Sequence, residues 1–191
     1  MLVLASASPR RLDLLRQAGL EPGRVAPAHI DETPLNDETA RRLALRLARA
    51  KAGAAHSEGQ FTLGADTVVV LGTRFLPKAE TEAQARECLA LLSGRAHRVL
   101  TGVAVIGPDG RSAARLSESR LKIKRLTTAE IEAYIQSGEW KGKAGGYGIQ
   151  GRAGAFVTQL SGSYTGVVGL PLYETLCLLE GLGYRPNLTA R

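Results

Sequence analysis

The residues able to do chemistry fall in a few stretches of the 191-residue chain. The first is Ser6-Ala7-Ser8-Pro9-Arg10-Arg11, two hydroxyls beside two guanidinium groups. Guanidinium groups bind phosphate oxygens in pairs, and a helix N-terminus offers the same anion free N–H groups and the positive end of a dipole. The glycines and lysine of a P-loop are absent, so these residues alone also fit a capped helix with solvated arginines. The second is Asp66, which interrupts Phe61–Leu71, the most hydrophobic run of the chain. Aspartate is disfavoured in strands and costly to bury unpaired, so its position points to a metal, a proton or a substrate. The third is the carboxylate pair Asp31-Glu32. The fourth is Lys141–Gly151, Lys-Gly-Lys-Ala-Gly-Gly-Tyr-Gly-Ile-Gln-Gly, where small residues admit close approach to a ligand and lysines favour an anion. Composition describes a flexible loop there equally well. Two other cations stand out. Lys51 lies near a helix end, where position alone makes it a partner of the C-terminal dipole. Lys78 follows Pro77 and returns a positive charge towards the Asp66 region.

The elements that must carry these residues are legible from periodicity and caps. Leu2–Ala5 is long enough for one buried strand. Ser8 as N-cap and Pro9 at the first helical position open a helix with Leu12, Leu14, Leu15 and Ala18 at helical spacing, and Gly19 ends it. Arg24–Ile30 reads as a second strand weakened by Pro27. Asp37 is placed to cap a helix from Glu38 to about Ala55, with Ala40, Leu43, Leu47 and Ala48 on one face. Phe61–Leu71 reads as a central strand, turned by Gly72-Thr73 into Arg74-Phe75-Leu76. Thr81 with Gln84 forms a capping box for a helix running to Gly94, and Thr127 with Glu130 a second one for a short helix ending near Gly138. Val99–Ile106 and Ala113–Ile123 read as antiparallel strands around Pro108-Asp109-Gly110. Ala155–Leu160 and Tyr164–Val168 read as a hairpin around Ser161-Gly162-Ser163, and Pro171 opens a last helix through Leu179. Strand–helix alternation early and hairpins later predict an α/β fold with a mixed sheet and flanking helices.

Composition narrows the class. A hydrophobic content of 44% suits a globular core, and no run approaches the ~20 apolar residues of a membrane span. The N-terminus lacks the zones of a signal peptide, so a cytoplasmic location is expected. The net charge of +7 suggests a polyanionic partner: a nucleotide, a nucleic acid or an acidic surface. Basic and aromatic residues do not interleave, which argues against a stacking platform for single strands, and no specific nucleic acid is expected. Cys88 and Cys177 sit in apolar helical patterns and read as buried free thiols. His29, His56 and His97 are isolated in the sequence, and no zinc spacing, Ser-His-Asp order or GxGxxG is present.

Taken together, the motifs resemble the Maf family of nucleoside triphosphate pyrophosphatases, septum-formation-inhibitor-like proteins. The matching pieces are Leu-Ala-Ser-Ala-Ser-Pro-Arg-Arg from Leu4, Arg-Leu-Ala-Arg-Ala-Lys ending at Lys51, and Gly-Ala-Asp-Thr from Gly64. Leu-Ser-Gly-Arg-Ala-His from Leu92, Lys-Ala-Gly-Gly-Tyr-Gly-Ile-Gln-Gly from Lys143 and Val-Val-Gly-Leu-Pro from Val167 follow in family order, nearly end to end. The resemblance implies a single domain over residues 1–191, similar to the inosine triphosphatases: an elongated mixed sheet and two lobes around a cleft. It implies a homodimer, and conversion of a nucleoside triphosphate and water to the monophosphate and pyrophosphate with Mg²⁺ or Mn²⁺. Asp66 would be the catalytic base and, with Glu32, a metal ligand. Ser6, Ser8, Arg10, Arg11, Lys51 and Lys78 would bind substrate. The chemistry agrees: hydrolysis at the α-phosphate needs a divalent cation, cations to spread charge and a carboxylate to orient or deprotonate water.

Within the family, Ser-Pro-Arg-Arg, Asp-Thr and Gly-Ile-Gln-Gly resemble a branch that accepts dTTP and UTP, which makes Arg11, Thr67 and Gln150 substrate-selecting positions. The tryptophan that marks the first motif of the methylated-guanine branch is absent. Gly142 stands where many relatives carry aspartate, so no metal or lysine-pairing role carries over there. Two rival readings are a broad house-cleaning nucleotide hydrolase and a non-enzymatic interaction protein of cell division. An acid inside the most apolar strand separates them, because a binding module has no need of it.

Overall fold

The structure is a computed structural model and describes residues 1–185. In chain order its elements are β1 (Leu2–Ala5), α1 (Pro9–Gln17), β2 (Arg24–Val25), α2 (Ala40–Ala55), β3 (Phe61–Leu71), β4 (Arg74–Leu76), β5 (Lys78–Ala79), α3 (Glu82–Leu92), β6 (Ala96–Ile106), β7 (Ser112–Ile123), α4 (Thr128–Gln136) and β8 (Lys143–Ala144). A 3₁₀ turn (Arg152–Phe156), β9 (Val157–Ser161), α5 (Tyr164–Val168) and α6 (Leu172–Gly181) complete them. The main sheet runs β2-β1-β3-β6-β7-β9 with β4 against β3, and β5 pairs with β8 in a small second sheet. β1 is parallel to both β2 and β3, whereas β3–β4 and β7–β9 are antiparallel. The sheet is therefore mixed and the fold α/β, as expected.

The chain divides into two compact units. The first comprises Met1–Asp66, Thr101–Ser117 and the chain from Gly169, and the second Thr67–Leu100 with Glu118–Val168. In the first, β1 is buried along its whole length, which suits a continuous apolar run in a parallel strand. The helix α2 lies on β3 and β6 at backbone contact. A Cβ at Gly64 would stand 2.4 Å from the Ala48 carbonyl oxygen, and one at Gly102 would stand 2.3 Å from that of Ala44. Any side chain at either position would displace helix backbone, so both must be glycine, and the facing residues Ala44, Ala48 and Ala52 are fully buried. The second unit holds a core of its own, in which α3 and α4 bury Leu89, Leu92, Tyr134 and Ile135 with Val99, Leu121 and Trp140.

Both capping boxes form, at Thr81/Gln84 and Thr127/Glu130. The Gly72-Thr73 turn joins β3 to β4 with Leu71 opposite Arg74. Cys88 is buried and Cys177 half-buried, and neither is in a disulfide.

Four local expectations need correction. The second strand covers only Arg24–Val25: Ala26 N–H still bonds the Leu4 carbonyl, at 2.9 Å, and the chain leaves the sheet at Pro27, whose ring fixes its backbone. The N-cap of α2 is Thr39, whose hydroxyl accepts from Arg42 N–H. Asp37 lies in the left-handed region (φ 56°), which an N-cap does not adopt, and Glu38 instead turns to the Arg46 guanidinium at 2.7 Å. Ser8 occupies the N-cap position of α1, but its side chain makes no capping bond, and its N–H donates to Ser6 Oγ at 3.2 Å. Finally, Tyr164–Val168 is helical. Ser163 caps it, its hydroxyl accepting from Gly166 N–H at 2.9 Å and its carbonyl from Val167 N–H at 3.0 Å, and this local bonding overrides the strand preference of Tyr, Thr and Val.

Candidate active site

The close contact between α2 and β3 sets the central geometry. Side chains two apart on a strand share a face, so Asp66 points the same way as Gly64, towards the helix that Gly64 admits. Lys51 follows Ala48 by one turn and meets it there. Its Nζ lies 2.6 Å from Asp66 Oδ1 and 2.6 Å from Glu32 Oε1. Lys51 and Asp66 are buried (7% and 3% exposed), while Glu32 reaches the same ammonium from a partly exposed loop. One ammonium thus bridges two carboxylates, which satisfies two acids that would otherwise repel each other. Lys51 is not a dipole partner at the helix end.

The first motif is ordered around Ser6, which is 5% exposed. Its Oγ accepts from Arg11 Nη1 at 3.0 Å and from Ser8 N–H at 3.2 Å. Arg11 Nε donates to the Gly169 carbonyl at 2.7 Å, which ties α1 to the segment before α6. Burial pushes the Arg11 pKa below its ordinary value. Asp66 opposes that shift, Arg10 adds to it and Glu32 again opposes it. Asp66, Arg10 and Glu32 therefore all act electrostatically on Arg11. Ser6, Arg10, Arg11, Glu32, Lys51 and Asp66 form one cluster in the first unit.

The remaining predicted residues lie in the second unit. Thr67 follows Asp66 on β3 and is half-buried. Lys78 is exposed on β5, opposite Ala144 of β8. Gln150 is exposed at the end of the glycine-rich stretch. That stretch is folded rather than loose: Gly145 to Ile149 are buried, Gly145 N–H bonds the Pro77 carbonyl at 3.0 Å, and Gly142 N–H bonds that of Ala79 at 2.9 Å.

Two of the histidines that stand isolated in the sequence gain partners in the fold: His56 Nδ1 lies 3.0 Å from Thr62 Oγ1, and His97 meets a tyrosine. His97 is not isolated: its Nε2 lies 2.7 Å from the Tyr147 hydroxyl, with the rings edge to face. Burial holds its pKa down at about 4, so it is neutral. Tyr147 is pushed well up by burial and keeps its proton. The usable signal was a histidine and a tyrosine each inside a family motif. The sequence also offered no sign that Gly64 and Gly102 place Lys51.

Among the described residues no cluster of three or more His, Cys, Asp and Glu could enclose a metal ion. The available donors are two hard carboxylates, Asp66 and Glu32, held at one point by Lys51. That set suits Mg²⁺ or Mn²⁺, which commonly take one or two carboxylates and complete their shell with water and substrate phosphates.

Comparison with known proteins bears on the chain as a whole. The family model described as "Maf-like protein" matches residues 1–182. The chain is 67% identical over 187 residues to a dTTP/UTP pyrophosphatase of Caulobacter vibrioides, covering 97% of each. It is 64% identical over 184 residues to one from Hyphomonas neptunium, covering 96% of each. It is 65% identical over 192 residues to one from Maricaulis maris, covering 100% of this chain and 91% of that protein. A solved HAM1 protein from Coxiella burnetii is 20% identical, with a TM-score of 0.44 over 65% of this chain and 73% of that one.

Proposed function

Because this chain belongs to the Maf family, we propose that it hydrolyses dTTP and UTP to the monophosphate and pyrophosphate, with Asp66 as the base. The observation that carries the reading is the buried Asp66 carboxylate, set in an apolar strand and held at 2.6 Å by Lys51. Asp66 is positioned to accept a proton from the attacking water, and its burial keeps bulk water from competing for that role. Lys51, Arg10 and the N-terminus of α1 spread the charge of the triphosphate, and Ser6 and Ser8 add hydroxyls. Arg11 contributes chiefly by fixing Ser6 and the Gly169 segment. Lys78 adds positive charge for phosphate. Thr67 and Gln150 select the base. The Gln150 amide offers a donor and an acceptor to the O4 and N3–H edge of uracil or thymine. Asp66 and Glu32 would hold Mg²⁺ or Mn²⁺, which supplies Lewis-acid polarisation of phosphoryl oxygens. The working enzyme is a cytoplasmic homodimer.

A nucleotide panel scored for pyrophosphate release tests the reaction. Release from UTP and dTTP above CTP and the purine triphosphates is expected, and reaction in ¹⁸O-water places the label in the monophosphate. Orthophosphate and a diphosphate as products would replace this reading with attack at the γ-phosphate. No turnover of any nucleotide would favour an interaction protein.

A further inference from the structure

The segment that ends in Gln150 is anchored by neutral side chains from two other elements. Tyr147 is 6% exposed, and its hydroxyl meets His97 Nε2 of β6 at 2.7 Å. The next residue, Gly148, donates its N–H to the Tyr134 hydroxyl of α4 at 3.1 Å, a buried bond. The peptide between Tyr147 and Gly148 is therefore fixed at both ends, by the ring of one residue and the amide of the next. Gln150 rests on this peptide: a Cβ at Gly148 would stand 3.1 Å from Gln150 Nε2. Its amide lies across the bare Cα, where any side chain would push it away. On the far side, Gly151 N–H returns to the Gly148 carbonyl at 3.1 Å, and Glu139 Oε2 accepts from Arg152 N–H at 2.8 Å. A Cβ at Gly151 would stand 2.0 Å from that carboxylate oxygen. A glutamine on a flexible strand end would present its donor and acceptor in many orientations. One held on both sides presents them in few, and preorganisation of that kind turns a hydrogen bond into discrimination.

We propose that Tyr134 and His97 are positioning residues for base selection, holding the Tyr147-Gly148 peptide so that the Gln150 amide is presented in one orientation to the O4/N3–H edge of a pyrimidine base. The inference rests on the reading of Gln150 as the group that meets the base. Neither residue touches the substrate. Both are 2% exposed, and both act through an uncharged bond, so they set orientation without altering the charge that handles the triphosphate.

The test is a double-mutant cycle on the ratio of kcat/KM for UTP to that for CTP. Tyr134→Phe keeps the ring and removes the acceptor. His97→Phe keeps the edge-to-face contact and removes the hydrogen bond. Gly148→Ala removes neither anchoring hydroxyl nor imidazole; its Cβ would stand 2.7 and 2.9 Å from Lys143 Cε and Cδ, a side chain tied to the Glu139 carbonyl, and 3.1 Å from the Gln150 amide, so it displaces Gln150 directly. Each is made alone and with Gln150→Ala. A ratio that falls about fivefold or more in the single variants, mainly through the KM for UTP, and does not fall further in the Gln150→Ala background is the expected result. A ratio unchanged in all three, with Gln150→Ala lowering it, overturns the positioning role and leaves Gln150 as the reader of the base. An equal fall with and without Gln150 also overturns it, because the residues then act by another route. A ratio unaffected by Gln150→Ala itself removes the underlying reading of Gln150. Where Tyr134→Phe or His97→Phe fails to fold by circular dichroism, Tyr147→Phe, which breaks the His97 bond from its other end, decides.

Discussion

The two regions that carry the predicted residues are built from opposite materials. Around Asp66, charge is buried against charge: an ammonium bridges two carboxylates, and a half-buried guanidinium ties Ser6 to the Gly169 carbonyl. Around Gln150, the supporting groups are a tyrosine hydroxyl, a neutral imidazole and backbone amides. The difference matches the tasks proposed for the two regions. Developing charge at phosphorus is stabilised by fixed charges in a low dielectric. Choice among bases of the same charge depends on donor and acceptor placement, which neutral groups provide without perturbing the phosphates. Changes in the first region should therefore move turnover, and changes in the second should move stability or selectivity.

The largest effect is expected at Asp66. Asp66→Asn keeps the shape, loses the base and should lower turnover at least ~100-fold with the fold retained. Near-wild-type turnover would remove Asp66 from the mechanism and break the contrast at its centre.

The second prediction concerns acid. The folded-state pKa of His97 is about 4, whereas an unfolded histidine titrates near 6.5. The unfolded chain thus takes up the proton first. The contribution of neutral His97 is fully present above pH ~6.5 and is lost as pH falls to about 4, amounting to about 3 kcal/mol. Urea unfolding of wild type and His97→Phe between pH 7 and 4 measures it. The difference between the two stability curves should slope only within that window, and parallel curves would mean that His97 is not held neutral.

Gly64→Ala sharpens the comparison from the packing side. The new Cβ would lie 2.4 Å from helix backbone that cannot swing aside, so a loss of about 1–3 kcal/mol and of most activity is expected. Gly53→Ala, on the same helix with nothing within 4 Å, is the control and should be neutral or slightly stabilising. Equal effects in urea unfolding would show that α2 does not depend on close contact with β3. For Gln150→Ala a fall of about tenfold in the UTP-over-CTP ratio is expected, equivalent to about 1.4 kcal/mol. Parallel losses for both nucleotides would make Gln150 a loop support.

Most elements were legible because their signals are local. The two capping boxes, the Gly72-Thr73 turn and the long apolar run at Phe61–Leu71 depend on residues within a few positions of one another. The misread segments are those that local backbone chemistry decided, such as the proline at which β2 ends or the bond from Gly166 to Ser163. The types of the catalytic candidates were legible too. An acid in an apolar strand is anomalous wherever it is met, and the ordered motifs identified the family.

Sequence by itself therefore determined which candidate groups this protein offers: the acid of β3, the cations and hydroxyls of the first motif and the amide of the glycine-rich stretch. Tertiary structure decided which partners those groups meet. Lys51 stands 15 residues from Asp66 and reads locally as a helix-end charge, and it became the bridge between two carboxylates because Gly64 and Gly102 admit the α2 backbone against the sheet. His97 stands 50 residues from Tyr147 and reads as isolated, and it became an anchor only when β6 and the glycine-rich stretch were packed into one core. Side-chain identity sets what a group can donate, accept or neutralise. Which partner it meets depends on distances that arise only when remote segments are packed together.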